Sequence, residues 1–387
     1  MTIDLSINQG THCSKKAVEV LRTYDNNTSL REYTDPENRD LLETLARINQ
    51  VRVENIYVDN GTGPILRTAL YEILRQRTQS SIKGIVKYLL FKKLDTPLIT
   101  PRFTYKKIPP NAAKNGIPVA YIPLGPETNF RINPADVSAA IEANGDGIVY
   151  IVNPNNPTGN IMLSHDEIAT LVAKHPDSLF WIDEAYHEYV DPDDYQTVAH
   201  LVRRHDNLIV SRSFSFAWGL ASLRIGFFMA DPKWVQLIEK TTVPYRIGKL
   251  QQDVALASVT DEEFLPSIRE FAAKERTKLT EALEAYDNIE VFPSQVNYLF
   301  CRFKDGRSSL PFADKLRELG LLIKRETPHG GMRFEEYFRV SVGLEDENDA
   351  FIAKLDEALS VYPDHKPLSE KGEKKKGKKD KNIKLVG

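Results

Sequence analysis

Two hydroxyl groups and a guanidinium lie close together in the stretch LIVSRSFSFAWGLASLRIGFFMA at residues 208–230. Ser213 and Ser215 supply the hydroxyls, and Arg224 supplies a planar fork of N–H donors. Such groups hold a phosphate through charge-assisted hydrogen bonds. The stretch therefore predicts a phosphate clamp, which directly follows a strand predicted from residue 207.

A second set of anion-binding donors is predicted at Gly61, Thr62 and Gly63. They follow the short apolar run 56–58 and precede a segment whose apolar residues recur at helical spacing. Free backbone N–H groups point out of a helix start, and the helix dipole favours an anion there. Taken alone, a plain glycine-rich helix cap is the simpler interpretation.

A carboxylate is predicted at the end of a buried strand. The apolar run 179–182 leads directly into Asp183, and Tyr186 follows three residues later. Burying a carboxylate is costly unless a cation pairs with it. As isolated residues, both are more often structural, but in this context Asp183 predicts a positively charged partner.

The stretch GIVYIVNPNNPTG predicts a ligand site at the edge of a sheet. Its apolar run 147–152 is typical of a strand buried on both faces of a parallel sheet. Two X-Pro steps within 153–159 bar a regular helix and force a defined turn. Open α/β sheets bind ligands at the carboxyl ends of their strands, and Asn156 brings an amide there.

The overall composition excludes several classes of protein. The 387 residues carry a formal charge of -3, which gives no reason to expect nucleic acid or an anionic membrane as a partner. Two cysteines are too few for a disulfide scaffold or a Cys-rich metal site, and no metal is predicted. The first ten residues do not resemble a signal peptide, and no apolar run reaches the roughly 20 residues of a membrane span. We expect a cytoplasmic protein.

In combination, NPNNPTG, DEAY, SFS…GLASLRIG and FRVSVG resemble the motifs of the pyridoxal-phosphate (PLP) aminotransferases of fold type I, in class I/II. The group they resemble most is that of the histidinol-phosphate and aromatic aminotransferases. The resemblance runs from about residue 30 to 360. It implies an α/β fold, a homodimer, and an amino acid or keto acid as substrate.

The same resemblance implies how the chain is divided. Residues 1–30 are predicted as an N-terminal arm, and 31–258 as a large cofactor-binding domain with a mostly parallel central sheet flanked by helices. Residues 259–362 are predicted as a smaller α+β domain that begins with a long linking helix. Residues 363–387 are rich in lysine and predict a solvated, disordered tail.

The resemblance also assigns roles to individual residues. It pairs Asp183 with the protonated pyridine nitrogen, which keeps the ring an electron sink, and it places Asn156 and Tyr186 against the O3′ oxygen of the cofactor. The residues assigned to the cofactor are Tyr33, Gly61, Thr62, Gly63, Phe103, Asn156, Asp183, Tyr186, Ser213, Ser215 and Arg224.

Two of these cofactor assignments have particular geometries, and two residues are assigned to the substrate. Phe103 lies where an aromatic ring stacks on the pyridine ring, and a core phenylalanine is the alternative. Tyr33 lies where the family has a tyrosine that reaches the cofactor phosphate of the neighbouring subunit; a packed surface tyrosine is the alternative. Asn156 and Arg339 are the predicted substrate-binding residues, because Arg339 matches an arginine that forks onto the substrate carboxylate.

One position departs from the family's pattern. Eight residues before Arg224, where the family has the lysine that forms a Schiff base with the cofactor, the sequence has Phe216. A phenyl ring supplies neither an amine nor a base. No lysine between Lys174 and Lys233 can replace it. The sequence therefore predicts that PLP or its amine form, pyridoxamine 5′-phosphate (PMP), binds without a covalent link.

Three hypotheses remain open. In the first, the protein catalyses lysine-independent chemistry at a centre formed by Asp183, Tyr186 and Phe216. The base is then Tyr186, His187, Lys249 or a residue of a partner subunit. In the second, the protein is a pseudoenzyme that binds cofactor or a partner without turnover. In the third, it is a lysine-replaced variant of an ordinary aminotransferase.

Overall fold

A computed structural model describes residues 2–24, 33–79, 94, 96–326 and 334–366. Most of the predicted lysine-rich tail, from residue 367 onward, lies outside them. The chain divides into two compact units. The larger comprises Gln9–Ala273 and Pro293–Asn297, and the smaller comprises Met1–Asn8, Lys274–Phe292 and Tyr298–Gly387.

Twelve strands are numbered along the described part of the chain. They are β1 (Ile3–Leu5), β2 (Ile56–Asp59), β3 (Leu98–Pro101), β4 (Val119–Ile122), β5 (Ile148–Val152), β6 (Leu179–Asp183), β7 (Leu208–Ser213), β8 (Gly226–Ala230), β9 (Ile289–Val291), β10 (Tyr298–Phe303), β11 (Leu321–Arg325) and β12 (Tyr337–Ser341).

The helices within the same described ranges are numbered in the same way. They are α1 (Lys15–Thr23), α2 (Arg39–Asn49), α3 (Thr62–Gln79), α4 (Ile108–Lys114), α5 (Pro134–Asn144), α6 (His165–Lys174), α7 (Pro232–Glu239), α8 (Lys249–Val259), α9 (Phe264–Glu284), α10 (Leu310–Glu318), α11 (Glu345–Ala353) and α12 (Leu355–Leu359). None of them is both long and apolar enough to cross a membrane.

The larger unit is built on a seven-stranded sheet with the order β2-β8-β7-β6-β5-β3-β4. Neighbouring strands pair in parallel except at β8, which is antiparallel to both β2 and β7. All side chains of β5, β6 and β7 are buried, as expected for strands covered by helices on both faces. The predicted mostly parallel α/β sheet is confirmed.

One face of this sheet packs against a large hydrophobic core. Tyr150 of β5 and Trp181 of β6 lie in this core together with apolar side chains of α3, α4 and α7. Local signals fix where the covering helices begin. At α6, Ser164 Oγ accepts from the Glu167 N–H and Glu167 Oε2 accepts from the Ser164 N–H, which is a capping box.

The direction of the strands decides where loops meet. Because β2, β3, β5, β6 and β7 run the same way, their carboxyl ends share one edge of the sheet, and the antiparallel β8 begins at that edge. Ligands of open α/β sheets bind outside such an edge.

The smaller unit holds a five-stranded sheet with the order β1-β11-β12-β10-β9. Only β1 and β11 pair in parallel. The start of the predicted arm is thus an edge strand of this sheet. Buried Asn348 fixes the turn after β12, because it accepts from the Gly343 N–H and donates to Glu275.

The long linking helix predicted to begin at residue 259 begins later in the structure. Residue 259 is the last of α8, and α9 begins at Phe264. The polar residues Thr260 and Asp261 form a turn in which their N–H groups bond to carbonyls at the end of α8. Ser14, before α1, donates to the Asp261 carboxylate at 2.6 Å.

Candidate functional site

The predicted cofactor residues of the larger unit, apart from Tyr33, come from loops at the shared edge of the seven-stranded sheet. Gly61 follows β2, Phe103 follows β3 and Asn156 follows β5. Asp183 ends β6, and the 213–224 loop joins β7 to β8. The topology therefore brings together residues that are up to 163 positions apart in the sequence.

The phosphate end of the site is formed by α3 and the β7–β8 loop. Arg224 lies over Gly61: a Cβ on Gly61 would be 2.9 Å from the guanidinium nitrogen Nη2. Arg224 Nη1 donates to Ser215 Oγ at 3.4 Å, and the Ser215 N–H donates to Ser213 Oγ at 3.0 Å. Serine hydroxyls, a guanidinium and the start of an 18-residue helix are therefore adjacent.

Glycine is required at this end by close approach. Gly226 lies so near the α3 start that a Cβ would be 2.5 Å from the Thr62 nitrogen. Gly61 has a φ of 83°, which side-chain-bearing residues rarely adopt. Among the described residues, none has an atom within 4 Å of the Cβ position of Gly63.

The ring end of the site contains Asn156, Tyr186 and Phe216. Asn156 Nδ2 donates to the Tyr186 hydroxyl at 3.1 Å. The half-buried Phe216 ring stacks on the Tyr186 ring, with centroids 4.2 Å apart and planes inclined by 19°. Where the motif predicts an amine, the chain therefore has two stacked aromatic rings.

Asp183 ends β6, and its hydrogen-bond donors in the described part of the chain are neutral. Its Oδ2 accepts from the Tyr150 hydroxyl at 2.9 Å and its Oδ1 from Ser211 Oγ at 3.0 Å. Burial raises the pKa of Asp183 to about 6, against the opposing effect of these donors. No lysine, arginine or histidine in the described part of the chain forms an ion pair with it.

An ion-pair cluster that the sequence analysis missed lies beside the site. Arg212 donates to Glu184 Oε2 at 2.9 Å and to Glu188 Oε1 at 3.2 Å, and all three side chains are buried. Glu184 also accepts from Tyr195 and Thr197. The cluster fixes both ends of the 184–188 segment, which carries Tyr186. The arginine within the otherwise apolar strand LIVSRS was the feature of the sequence that could have predicted a buried ion pair.

Two of the predicted bases have unsuitable protonation states. Burial, followed by the neighbouring Arg212, lowers the pKa of His187 to about 3, so its ring is neutral and weakly basic. Lys249 Nζ bonds to both carboxylate oxygens of Asp253 at 2.8 Å, and this bonding raises the pKa of Lys249. Lys249 is therefore a protonated surface cation.

Phe103 and Tyr33 have contrasting surroundings. Phe103 is fully buried, and its ring lies 4.8 Å from that of Phe130. Tyr33 is 85% exposed, and its ring contacts Tyr245 at 4.8 Å. Val243, in the same surface segment as Tyr245, is 71% exposed.

Arg339 belongs to the smaller unit. It lies on β12, is 7% exposed, donates to the Ser6 carbonyl at 3.0 Å, and covers the Tyr298 ring at 5.1 Å. Lys324 of β11 is its direct cross-strand partner.

Residues of the N-terminal arm pack on the Phe216 loop, a contact that the motifs did not predict. A Cβ on Gly10 would overlap the Phe216 carbonyl oxygen, and one on Gly219 would overlap the His12 carbonyl oxygen. Cys13 Sγ donates to the Gly219 carbonyl at 3.2 Å. The position of the loop thus depends on the arm.

The donor set fits pyridoxal phosphate or its amine form. The α3 start, Ser213, Ser215 and Arg224 suit a phosphate. Asn156 and Tyr186 suit a phenolic oxygen, and the uncompensated Asp183 suits a protonated ring nitrogen. Within the described ranges, no group of three or more His, Cys, Asp or Glu side chains could hold a metal ion.

Comparison with known proteins first defines the class of fold. The histidinol-phosphate aminotransferase from Sinorhizobium meliloti, solved in complex with pyridoxal 5′-phosphate, superposes with a TM-score of 0.76. It is 22% identical, and the match covers 93% of this chain and 91% of that chain. The architecture is that of a fold type I aminotransferase.

Sequence comparison then defines the family. The aminotransferase class I and II family matches residues 1–355, and the chain belongs to this family. Histidinol-phosphate aminotransferase 2 of Rhizobium meliloti (strain 1021) is 31% identical over 349 residues, or 89% of each chain. The histidinol-phosphate aminotransferase of Gluconacetobacter diazotrophicus is 32% identical over 335 residues, which cover 86% of this chain and 84% of the relative.

Proposed function

We propose that this protein binds PLP or PMP without a covalent link and uses it in lysine-independent chemistry on an amino acid or keto acid. The observation that carries the proposal is Asp183. It is a buried carboxylate held by neutral hydroxyls, with no ion pair to a cation of the described chain. A buried carboxylate of this kind is stabilised by a positively charged ligand.

Each end of the site has a defined task in this proposal. Arg224, Ser213 and Ser215 hold the phosphate together with the α3 start, while Asp183 holds the ring nitrogen. When bound, the cofactor supplies an electron sink for the carbon next to the substrate amino group. A cofactor held at both ends by polar groups does not require a covalent link to stay in place.

The residue proposed to move a proton is Tyr186. His187 is too weakly basic, and Lys249 is held protonated by Asp253. The Tyr186 hydroxyl accepts from Asn156, and its ring contacts Phe216. By stacking on Tyr186, Phe216 excludes water from that face of the Tyr186 ring. We propose that Tyr186 Oη and the Asn156 amide both contact the O3′ oxygen.

The proposal for the substrate rests on Arg339. A guanidinium can hold a carboxylate through two parallel hydrogen bonds, and an amino acid or keto acid presents that group. Lys324, opposite Arg339 on the neighbouring strand, provides a second cation. A homodimer is also proposed, in which the exposed Tyr33 approaches the cofactor phosphate of the partner subunit.

A second function, cofactor or partner binding without turnover, is favoured by one observation. Phe216 and Tyr186 stack where the family's motif predicts an amine, so the ring end holds a cofactor without supplying a strong base. A lysine-replaced variant of an ordinary aminotransferase is the third hypothesis.

Cofactor titration tests the proposal. We expect PLP and PMP both to bind saturably, with the visible or near-ultraviolet absorbance of the bound forms. Borohydride treatment should leave no cofactor attached to the wild-type chain. Asp183→Asn should weaken binding, and a protein that binds neither form contradicts the proposal.

Turnover separates the three hypotheses. Amino-group transfer by the wild-type protein supports lysine-independent chemistry, whereas binding without transfer supports the pseudoenzyme. Phe216→Lys should permit borohydride trapping if the pocket still accepts an amine. Recovery of transfer in this variant, with none in the wild type, supports the third hypothesis.

A further inference from the structure

Four buried side chains form a chain of hydrogen bonds that includes Asp183. Trp181 Nε1 donates to Ser211 Oγ at 3.0 Å, and Ser211 Oγ donates to Asp183 Oδ1 at 3.0 Å. Tyr150 donates to Asp183 Oδ2 at 2.9 Å. Tyr150, Trp181 and Ser211 are completely buried, and Asp183 is 4% exposed.

The register of the central strands creates this arrangement. Tyr150 of β5 lies directly beside Trp181 of β6, and Asp183 of β6 lies directly beside Ser211 of β7. Trp181 and Asp183 are two residues apart, so they point to the same face of the sheet. Both the Tyr150–Asp183 and Trp181–Ser211 bonds are therefore diagonal contacts between neighbouring strands.

We infer that Tyr150 is a positioning residue for the cofactor: its hydroxyl holds the Asp183 carboxylate ionised and oriented for a protonated ring nitrogen. This inference rests on the proposed function, because it needs Asp183 to contact the cofactor. Tyr150 itself acts only through Asp183. Ser211 supports the second carboxylate oxygen and is held in turn by Trp181.

Electrostatics agree with this geometry. A hydroxyl that donates to a carboxylate favours its ionised form, and here it opposes the burial that raises the pKa of Asp183 to about 6. The Ala185 N–H acts in the same direction, while neighbouring Glu184 opposes it. Asp183 is thus ionised at neutral pH by a margin that depends on its donors.

Besides Glu184, the ionisable groups that act on the pair include two tyrosines, Tyr105 and Tyr186. Burial, followed by the Asp183 carboxylate, raises the pKa of Tyr150 well above its usual value, and the hydroxyls of Tyr105 and Tyr186 add to the effect. Tyr150 therefore remains protonated, and able to donate, between pH 5 and 8. Of the two partners, only Asp183 changes its charge between pH 5 and 8.

The test is Tyr150→Phe in cofactor-free protein, unfolded by urea at pH 5 and pH 8. The folded-state pKa of Asp183 lies above its unfolded-state pKa. The free energy of unfolding therefore falls as the pH rises from the unfolded-state pKa to the folded-state pKa. Loss of the donor raises the folded pKa further and extends this fall to higher pH. We expect the increase in the unfolding equilibrium constant to be about tenfold larger at pH 8 than at pH 5.

Tyr195→Phe is the matched control. Tyr195 is also buried and donates at 2.9 Å to a buried carboxylate, that of Glu184. Burial is the largest single effect and raises the pKa of Glu184, but Arg212, His187, Thr197 and the Val198 N–H together lower it below its usual value. Glu184 is therefore ionised at both pH values, and the control should lose equal stability at both.

Two further variants keep the test decisive. Ser211→Ala removes the other side-chain donor and should show the same pH dependence as Tyr150→Phe. In a protein that already carries Asp183→Asn, the loss of stability caused by Tyr150→Phe should be the same at pH 5 and pH 8. An equal loss at pH 5 and 8 for Tyr150→Phe, or a pH dependence that persists without Asp183, overturns the inference.

The loaded protein gives an independent readout. Tyr150→Phe should weaken PMP binding about tenfold at pH 8 and should shift the pH at which the absorbance of the bound cofactor changes. If wild-type protein binds neither PLP nor PMP, the proposed function and the cofactor role of Tyr150 are both overturned, while the unfolding experiment still measures its coupling to Asp183. If cofactor binds but Tyr150→Phe lowers the free energy of unfolding equally at pH 5 and pH 8, only the inference is overturned.

Discussion

Asp183 and Glu184 are consecutive, buried carboxylates with opposite surroundings. Asp183 contacts the hydroxyls of Tyr150 and Ser211, whereas Glu184 contacts the guanidinium of Arg212. Ser211 and Arg212 alternate between the two faces of β7, and so consecutive acids meet different partners. The pKa of Asp183 is raised to about 6, while that of Glu184 is lowered.

The comparison shows how two neighbouring carboxylates can have different roles, one in stabilising the fold and the other in binding a ligand. The charge of Glu184 is neutralised within the protein, so it stabilises the loop that carries Tyr186. The charge of Asp183 is only solvated by hydroxyls, so it remains available to a cation from outside. A buried carboxylate with neutral partners is a stronger sign of a ligand site than a buried ion pair.

The largest expected effect comes from removing the two charges separately. Glu184→Gln leaves Arg212 with less compensation and should lower the free energy of unfolding by about 3 kcal/mol. Asp183→Asn removes a buried charge without an ion partner and should raise it by about 1 kcal/mol at pH 8. Urea unfolding of cofactor-free protein measures both.

The pH dependence sharpens the same comparison. The increase in the free energy of unfolding caused by Asp183→Asn should grow from pH 4 to pH 7, because the pKa of Asp183 is higher in the folded state than in the unfolded chain. The loss from Glu184→Gln should stay constant between pH 5 and 8. Equal losses for the two variants would mean that Asp183 is a structural residue like Glu184.

The phosphate end should respond to a charge change with a smaller loss. Arg224→Gln should weaken PMP binding about tenfold, because an exposed charged hydrogen bond contributes ~1.4 kcal/mol. The same variant should bind pyridoxamine, which lacks the phosphate, as well as wild type does. Calorimetric titration with the two compounds measures the difference, and equal losses would place the phosphate elsewhere.

Packing at the ring end should have an effect of about 1 kcal/mol. Phe216→Leu removes the stack on Tyr186 and should lower the free energy of unfolding by that amount. Phe216→Tyr keeps an aromatic ring and is the control. If Leu is as stable as Phe, the stack contributes nothing beyond filling space.

Tyr33 should show the smallest effect on stability. Its side chain is 85% exposed, so Tyr33→Ala should change the free energy of unfolding by less than about 0.5 kcal/mol. The proposed dimer gives the variant a separate readout, weaker PMP binding at protein concentrations where the dimer forms. A loss of stability above about 1 kcal/mol would instead identify Tyr33 as a core residue.

The sequence predicted the sheet and the loops at its edge because their signals are local. Apolar runs that end in NPNNPTG, DEAY and SFS identify strands and the turns that follow them. The Tyr150–Asp183 bond could not be predicted in this way, since it depends on which residues of β5 and β6 lie side by side. A phenol and an arginine within apolar strands, at Tyr150 and Arg212, were the available signs. The burial of Phe103 against Phe130 depends on a distant loop in the same manner.

The backbone contact between Gly10 and the Phe216 loop has a practical meaning for anyone who trims this protein. A shortened version that starts at α1 would lack Gly10 and His12, whose backbone packs against that loop. Such a version could retain every residue named by the motifs and still present a distorted pocket. Boundaries for expression are therefore better chosen ahead of β1 than at the first helix.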